Sequence, residues 1–117
     1  MAVGDKLFGM HGAALSLRSQ RLSLLASNIA NAGTPGYKAR DIDFDKAMKL
    51  AARGDGVDAA KNKAVSYRVP VTPSLDGNTV ELSTEQTLFA ENAVQYRTTL
   101  SFLEGRINTM KRALKGE

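Results

Sequence analysis

The sequence predicts a mainly α-helical chain: two long terminal helices pairing as an antiparallel coiled coil, with a central short helix, a mobile connector and an irregular β-hairpin between them. Three observations carry that expectation. Near the N-terminus apolar residues recur every seven positions at Phe8, Leu15, Leu22 and Ile29. A four-three alternation of core positions runs unbroken from Phe89 to Leu114. All three prolines, together with Pro35-Gly36 and Asp76-Gly77, lie between these two stretches. Residues 1–117 read as one domain, divided into an N-terminal helix over 7–32, a central turn, connector and hairpin over 33–82, and a C-terminal helix over 83–115. Apolar residues make up 43% of the chain but aromatics only 6%, so much of the core material is Ala and Leu, which favours helix.

The first helix carries two apolar stripes. Phe8, Leu15, Leu22 and Leu25 form one, with Ile29. Met10, Leu17 and Leu24 form another on nearly the opposite side, and serines on one flank and Arg18 and Arg21 on the other separate them. A helix on the surface of a monomer needs one stripe. Two stripes admit two readings: a central helix in a small bundle, or a helix touching its own chain on one side and neighbouring molecules on the other. After Asn28-Ile29-Ala30-Asn31 the helix must stop. Asn31 or Gly33 can take the left-handed conformation that closes a helix. Pro35 prevents its return and biases Thr34 towards extended backbone. Pro35-Gly36 fits the centre of a type II turn, with Tyr37 and Lys38 beyond it. Tyr37 can serve as a core residue, a binding anchor or packing for the turn, the last being favoured.

Residues 41–53 predict a short helix with Asp41 or Asp43 as N-cap and Phe44, Met48 and Ala51 on one face. Residues 54–64 lose periodicity and read as a mobile connector. Residues 65–71 have strand content, but Pro70 and Pro73 confine them to an edge. Asp76-Gly77 suits a hairpin turn with Thr79 to Leu82 as the return strand. Ser83-Thr84-Glu85-Gln86 fits a capping box opening the last helix. Its seam is Phe89, Ala93, Tyr96, Leu100, Leu103, Ile107, Met110 and Leu114, with Leu88, Val94 and Phe102 off the seam and implying a second contact surface. Lys111, Arg112 and Lys115 sit where positive charge offsets the helix dipole. Ordering a residue costs roughly 1–2 kcal/mol, and burying a large apolar side chain returns about 1.5–3 kcal/mol. One seam therefore cannot carry a thirty-residue helix. The terminal helices must pair, and neighbouring copies are expected to firm up helices that are loosely ordered in dilute solution.

No catalytic, cofactor-binding or metal site is expected. His11 is the single histidine and there is no cysteine. Asp41-Ile42-Asp43-Phe44-Asp45 opens like a calcium loop, but Lys46 and Ala52 occupy the positions that need Gly and Glu. The charge of +4 is scattered, which argues against nucleic acid. No run approaches the roughly 18 apolar residues of a membrane span, so no direct membrane insertion is expected. Residues 1–12 lack the pattern of a cleaved secretory signal, leaving the cytoplasm or export without cleavage.

Asn28-Ile29-Ala30-Asn31, followed after two residues by Thr34-Pro35-Gly36-Tyr37-Lys38, resembles the N-terminal signature of bacterial flagellar rod and hook proteins. Tyr67-Arg68-Val69-Pro70, Pro73-Ser74-Leu75-Asp76-Gly77-Asn78-Thr79-Val80 and Phe89-Ala90-Glu91-Asn92-Ala93-Val94-Gln95-Tyr96 narrow the resemblance to the FlgB family of proximal rod subunits. It covers nearly everything but the connector. It implies a non-enzymatic subunit of the periplasmic rod, exported through the flagellar type III system without cleavage. Such a subunit would stack helically, its terminal helices lining the drive shaft and export channel. The implied partners are further copies of itself, other proximal rod proteins, the rod-base junction protein and the export gate. The signature turn would fix how the N-terminal helix leaves the central tube. The alternative is a soluble coiled-coil adaptor or chaperone that does not polymerise, which accounts for the heptads but not for the Thr34-Pro35-Gly36-Tyr37 turn.

Overall fold

The computed structural model describes the backbone of residues 3–116 and the side chains of residues 9–116, so the Phe8 side chain lies outside the described residues. The elements in order are α1 (Val3–Ala30), β1 (Arg40–Ile42), α2 (Phe44–Ala52), α3 (Val57–Ala64), β2 (Val65–Tyr67) and α4 (Leu82–Lys115). Helix α1 begins earlier than the sequence predicts and is interrupted at Gly9, whose φ of 54° and ψ of −132° are open to glycine but strained for other residues. The chain is elongated, 64 × 26 × 18 Å, because the 34 residues of α4 alone span about 51 Å.

The two long helices run antiparallel, as expected. Asn28 of α1 meets Glu85 of α4, Arg18 meets Asn92 and Gln95, and the His11 ring lies tilted against Phe102 with ring centroids 4.5 Å apart. Ala14 and Leu25 are buried on α1, while Leu15, Leu22 and Ile29 are half-buried. The other stripe of α1 is covered by its own chain too. Leu17 is fully buried in a core with Ile42, Ala47 and Ala64, against which Leu24, Phe44 and Met48 pack. Between residues 14 and 28, then, α1 is the central helix of a small bundle and offers no second stripe to neighbours. Met10 at its outer end remains exposed.

Three further expectations change. Residues 57–64 are helix, not connector: α3 lays Ala60 and Ala64 against the body, and these small side chains allow close approach without an apolar period long enough to be recognised. There is no hairpin across Asp76-Gly77. Strand β2 instead pairs antiparallel with β1, Val65 opposite Ile42 and Tyr67 opposite Arg40. The return segment is drawn away because Thr79 N donates to Tyr37 O at 2.9 Å and Leu82 already begins α4. The capping box is not made either. Glu81 is the N-cap, with no side-chain bond to the helix, and its carboxylate accepts from Val71 N at 3.1 Å, while Glu85 points into the interior. By contrast, Asp43 caps α2 as expected, accepting from Lys46 N at 3.1 Å.

Along α4 the expected seam faces inward from Phe89 to Ile107, and two polar residues beside it are buried more deeply than most of it. Glu85 and Asn92 are fully covered and Leu103 is buried. Phe89, Ala93, Tyr96, Leu100 and Ile107 are half-buried, whereas Met110 and Leu114 are exposed. Truncating Leu17 to Ala is expected to lower stability by about 2–5 kcal/mol in urea titration. Leu114→Ala should stay within about 0.5 kcal/mol.

Candidate functional site

Where α1 ends, the chain has to satisfy the carbonyls that the last helical turn leaves free. It does so without a left-handed residue: neither Asn31 nor Gly33 has positive φ. Asn31 N instead donates to Ser27 O and Asn28 O, Ala32 N to Ile29 O and Thr34 N to Asn31 O, so the helix loosens over successive short turns. The Asn31 amide donates back to Ser27 O at 2.8 Å and accepts from the Thr34 hydroxyl at 3.0 Å. The loosened carbonyls are then collected from far along the sequence. Asn78 Nδ2 reaches the oxygens of Asn31 (2.9 Å), Ala32 (3.1 Å) and Thr34 (2.7 Å). Asn78 is itself fixed by an Asx turn, in which Asp76 Oδ1 accepts from Asn78 N and Gly77 adopts φ 77°.

The Thr34-Pro35-Gly36-Tyr37 turn is type II, closed by Tyr37 N donating to Thr34 O at 3.2 Å, with Gly36 at φ 76°. It is sewn to the later segment by Gly36 N to Asp76 O at 2.9 Å and by Lys38 Nζ to Gly77 O. Tyr37 packs on the turn, its hydroxyl 3.1 Å from Ser27 Oγ. The two sequence motifs thus form one surface.

Beneath the turn lies a run of polar side chains that closes into a ring through the backbone of α1. Asn28 is fully buried, and its amide takes the place of a strand partner for Arg40: Oδ1 accepts from Arg40 N at 3.1 Å and Nδ2 donates to Arg40 O at 2.7 Å. The same Nδ2 donates to Glu85 Oε2 at 3.0 Å. Glu85 is 0% exposed and is met by the Arg68 guanidinium through both Nε and Nη2. Arg68 Nη2 also reaches Asp41 Oδ2 at 3.1 Å, and Asp41 takes a bidentate pair from Arg21 at 2.8 and 2.9 Å. Arg21 and Asn28 both lie on α1, so the ring ties α1, β1, the segment after β2 and α4 together.

Burial pushes the Asp41 carboxyl up, but the Arg21 hydrogen bond and charge, the Ile42 amide and Arg68 outweigh it and hold it below the ordinary carboxylate range. Burial likewise pulls Arg68 down, and Glu85 and then Asp41 more than reverse this. Every acid in the ring is engaged by a cation or an amide, so none is free to act as a general base. Its chemistry is that of a fastener. No group of three or more potential metal ligands gathers among the described residues, and no described helix is long and apolar enough to cross a membrane.

Of the residues singled out by sequence, Asn28, Asn31, Thr34, Gly36, Tyr37 and Lys38 come together here with named bonds. Ile29 is half-buried, and Ala30 and Pro35 are exposed. The ring members Arg21, Asp41, Arg68 and Glu85 and the cap Asn78 were not singled out as site residues. Asn78 and Arg68 stand inside the second motif, which was their available signal.

Residues 10–38 match the family model described as flagella basal body rod protein. The flagellar basal body rod protein FlgB of Cereibacter sphaeroides is 50% identical over 122 residues, covering 93% of this chain and 94% of that protein. FlgB of Aeromonas hydrophila is 42% identical, covering 97% and 96%. FlgB of Escherichia coli K12 is 43% identical, covering 87% and 88%.

The depressed Asp41 pKa sets an acid-side prediction. Its contribution is complete above the unfolded value of about 3.9 and is lost as pH falls through the lower folded value. The urea midpoint is expected to drop below about pH 4, and Asp41→Asn should lower stability at pH 7 while flattening that drop. Arg68→Met, which leaves Glu85 buried without its cation, should cost about 3–5 kcal/mol by the same titration.

Proposed function

The chain belongs to the FlgB family of flagellar basal body rod proteins, and from that premise we propose how it works within the rod. It is a structural subunit of the basal body and not an enzyme. On our reading it polymerises helically with copies of itself and with the other proximal rod proteins. Its terminal helices contribute to the drive shaft and to the wall of the export channel. Delivery is through the flagellar type III route without a cleaved signal, and the junction protein and export gate are its contacts at the rod base.

The observation that carries this reading is the division of apolar surface. Between residues 14 and 28 helix α1 is covered on both sides by its own chain, yet α4 keeps Val94, Phe102, Met110 and Leu114 exposed, the last at 88%. A monomer gains nothing from leaving such residues on one helix, whereas a subunit seated among neighbouring helices buries them. The coiled-coil packing that the α4 heptads specify is completed, on this reading, by helices of adjacent subunits at Met110 and Leu114. The signature turn contributes by fixing the exit of the chain from α1, since Asn78, Asp76 and Lys38 hold it to the body at several points.

The purified chain should sediment as a monomer when dilute and should be recovered in purified basal bodies. A defined dimer or small oligomer absent from basal bodies would support the non-polymerising adaptor instead. Gly36→Val tests the turn. A Cβ at Gly36 meets nothing within 4 Å, so the cost comes chiefly from the strain of a β-branched residue at φ 76°. The variant is expected to remain folded with a loss of about 1–3 kcal/mol and to be non-motile in a strain lacking the wild-type chain. Normal swimming of that strain would overturn the role given to the turn.

A further inference from the structure

Between two fixed points the chain forms a short uncovered arm. Arg68 anchors its start, through N to Ala39 O at 2.8 Å and through its side chain in the polar ring. Asn78 anchors its end on the α1 terminus. Residues 69–76 between them are all exposed. Their apolar members are Val69, Val71 and Leu75 together with Pro70 and Pro73, and no charged residue occurs from Val69 to Leu75. Two of the chain's three prolines lie here, and Val71 N is held by Glu81 Oε1 at 3.1 Å, so the arm is stiff before it meets anything. An uncharged apolar segment held ready in one shape loses little entropy on binding.

The same molecule carries an apolar depression elsewhere. On the outer face of α4, Ala93, Val94, Arg97, Thr98 and Ser101 line a shallow depression of about 400 Å³ whose floor is mainly apolar. Val94 there is 66% exposed. From Glu81, which holds the arm, to Arg97 is about 24 Å along the helix, so an arm tied at the foot of α4 does not lie over its own depression. We infer that the arm of one copy docks in the α4 depression of a second copy of this chain. This rests on the reading of the chain as a rod subunit and deepens it. Two different patches displaced along the long axis repeat head-to-tail from copy to copy, and where the rotation between copies does not close, such a contact propagates as a helical stack. An eight-residue arm also covers well short of the roughly 1,200 Å² that a stable binary complex buries. The contact therefore leaves the dilute chain monomeric and acts where many such contacts are made together.

The absence of cysteine makes a clean test possible. Copies bearing Val71→Cys and Val94→Cys on one chain, expressed in cells and treated with a short bismaleimide, should give a ladder of cross-linked multimers in purified basal bodies. Either substitution alone should lose the ladder. A ladder-free double variant in basal bodies that contain it, or equal cross-linking by Val71→Cys alone, would overturn the docking. Absence of even the unsubstituted chain from basal bodies would instead overturn the rod reading. Should the double variant fail to enter basal bodies, the purified chain at high concentration decides: a ladder supports the contact, and its absence overturns it.

Discussion

Glu85 is a carboxylate with no exposed surface, and the geometry of the molecule follows from keeping it compensated. A charge buried in this way costs several kcal/mol unless a cation and further hydrogen bonds meet it. Arg68 supplies the cation and Asn28 the amide, from a segment and a helix far from Glu85 in sequence. Meeting that requirement sets α4 against α1 in one register and fixes the point from which the exposed arm departs. It also brings Arg68 to Asp41, so that Arg21 completes the ring on α1. Apolar packing alone would leave the two long helices freer to slide, because their heptads repeat. A polar group with one acceptable position removes that freedom, in the way a single buried polar residue fixes register in coiled coils. Asn92, donating to Arg18 O at 2.8 Å partway along the same interface, adds a second fixed point.

The rest of the fold divides labour between the helices. The first is exposed at Met10 but enclosed along its middle, where Leu17 meets the α2–α3 side and Leu25 is buried. The last is longer and carries its apolar residues beyond what the body can cover. Rigidity is thus concentrated at the foot of the molecule, around the polar ring and the signature turn, while apolar surface is concentrated on α4 and the arm. A subunit that must keep its shape before meeting neighbours, and then bury surface against them, needs that separation.

Much of this was legible in the sequence because it is local. The α1 stop at Asn31, the type II turn at Pro35-Gly36, the Asp43 cap and the long α4 each depend on a few adjacent residues. What was not legible depends on partners distant in sequence. Residues 57–64 form a helix whose buried face is two alanines, too slight a signal to separate from a connector. Glu85 reads as the third residue of a capping box until Arg68 and Asn28 are seen beside it. Asp76-Gly77 reads as a hairpin turn, yet the strand it should pair is claimed by β1, and the turn serves to aim Asn78 at the α1 terminus. The second stripe of α1 could equally be core or interface by pattern, and only the position of Leu17 among Ile42, Ala47 and Ala64 decides for core.

Amide hydrogen exchange, compared between the isolated chain and the chain within purified basal bodies, tests the central claim most directly. The account predicts strong protection around residues 14–28 and the foot of α4 already in the isolated chain, with new protection on assembly confined to the arm and to α4 beyond Ala93. New protection concentrated on the middle of α1, with the arm and outer α4 unchanged, would contradict it.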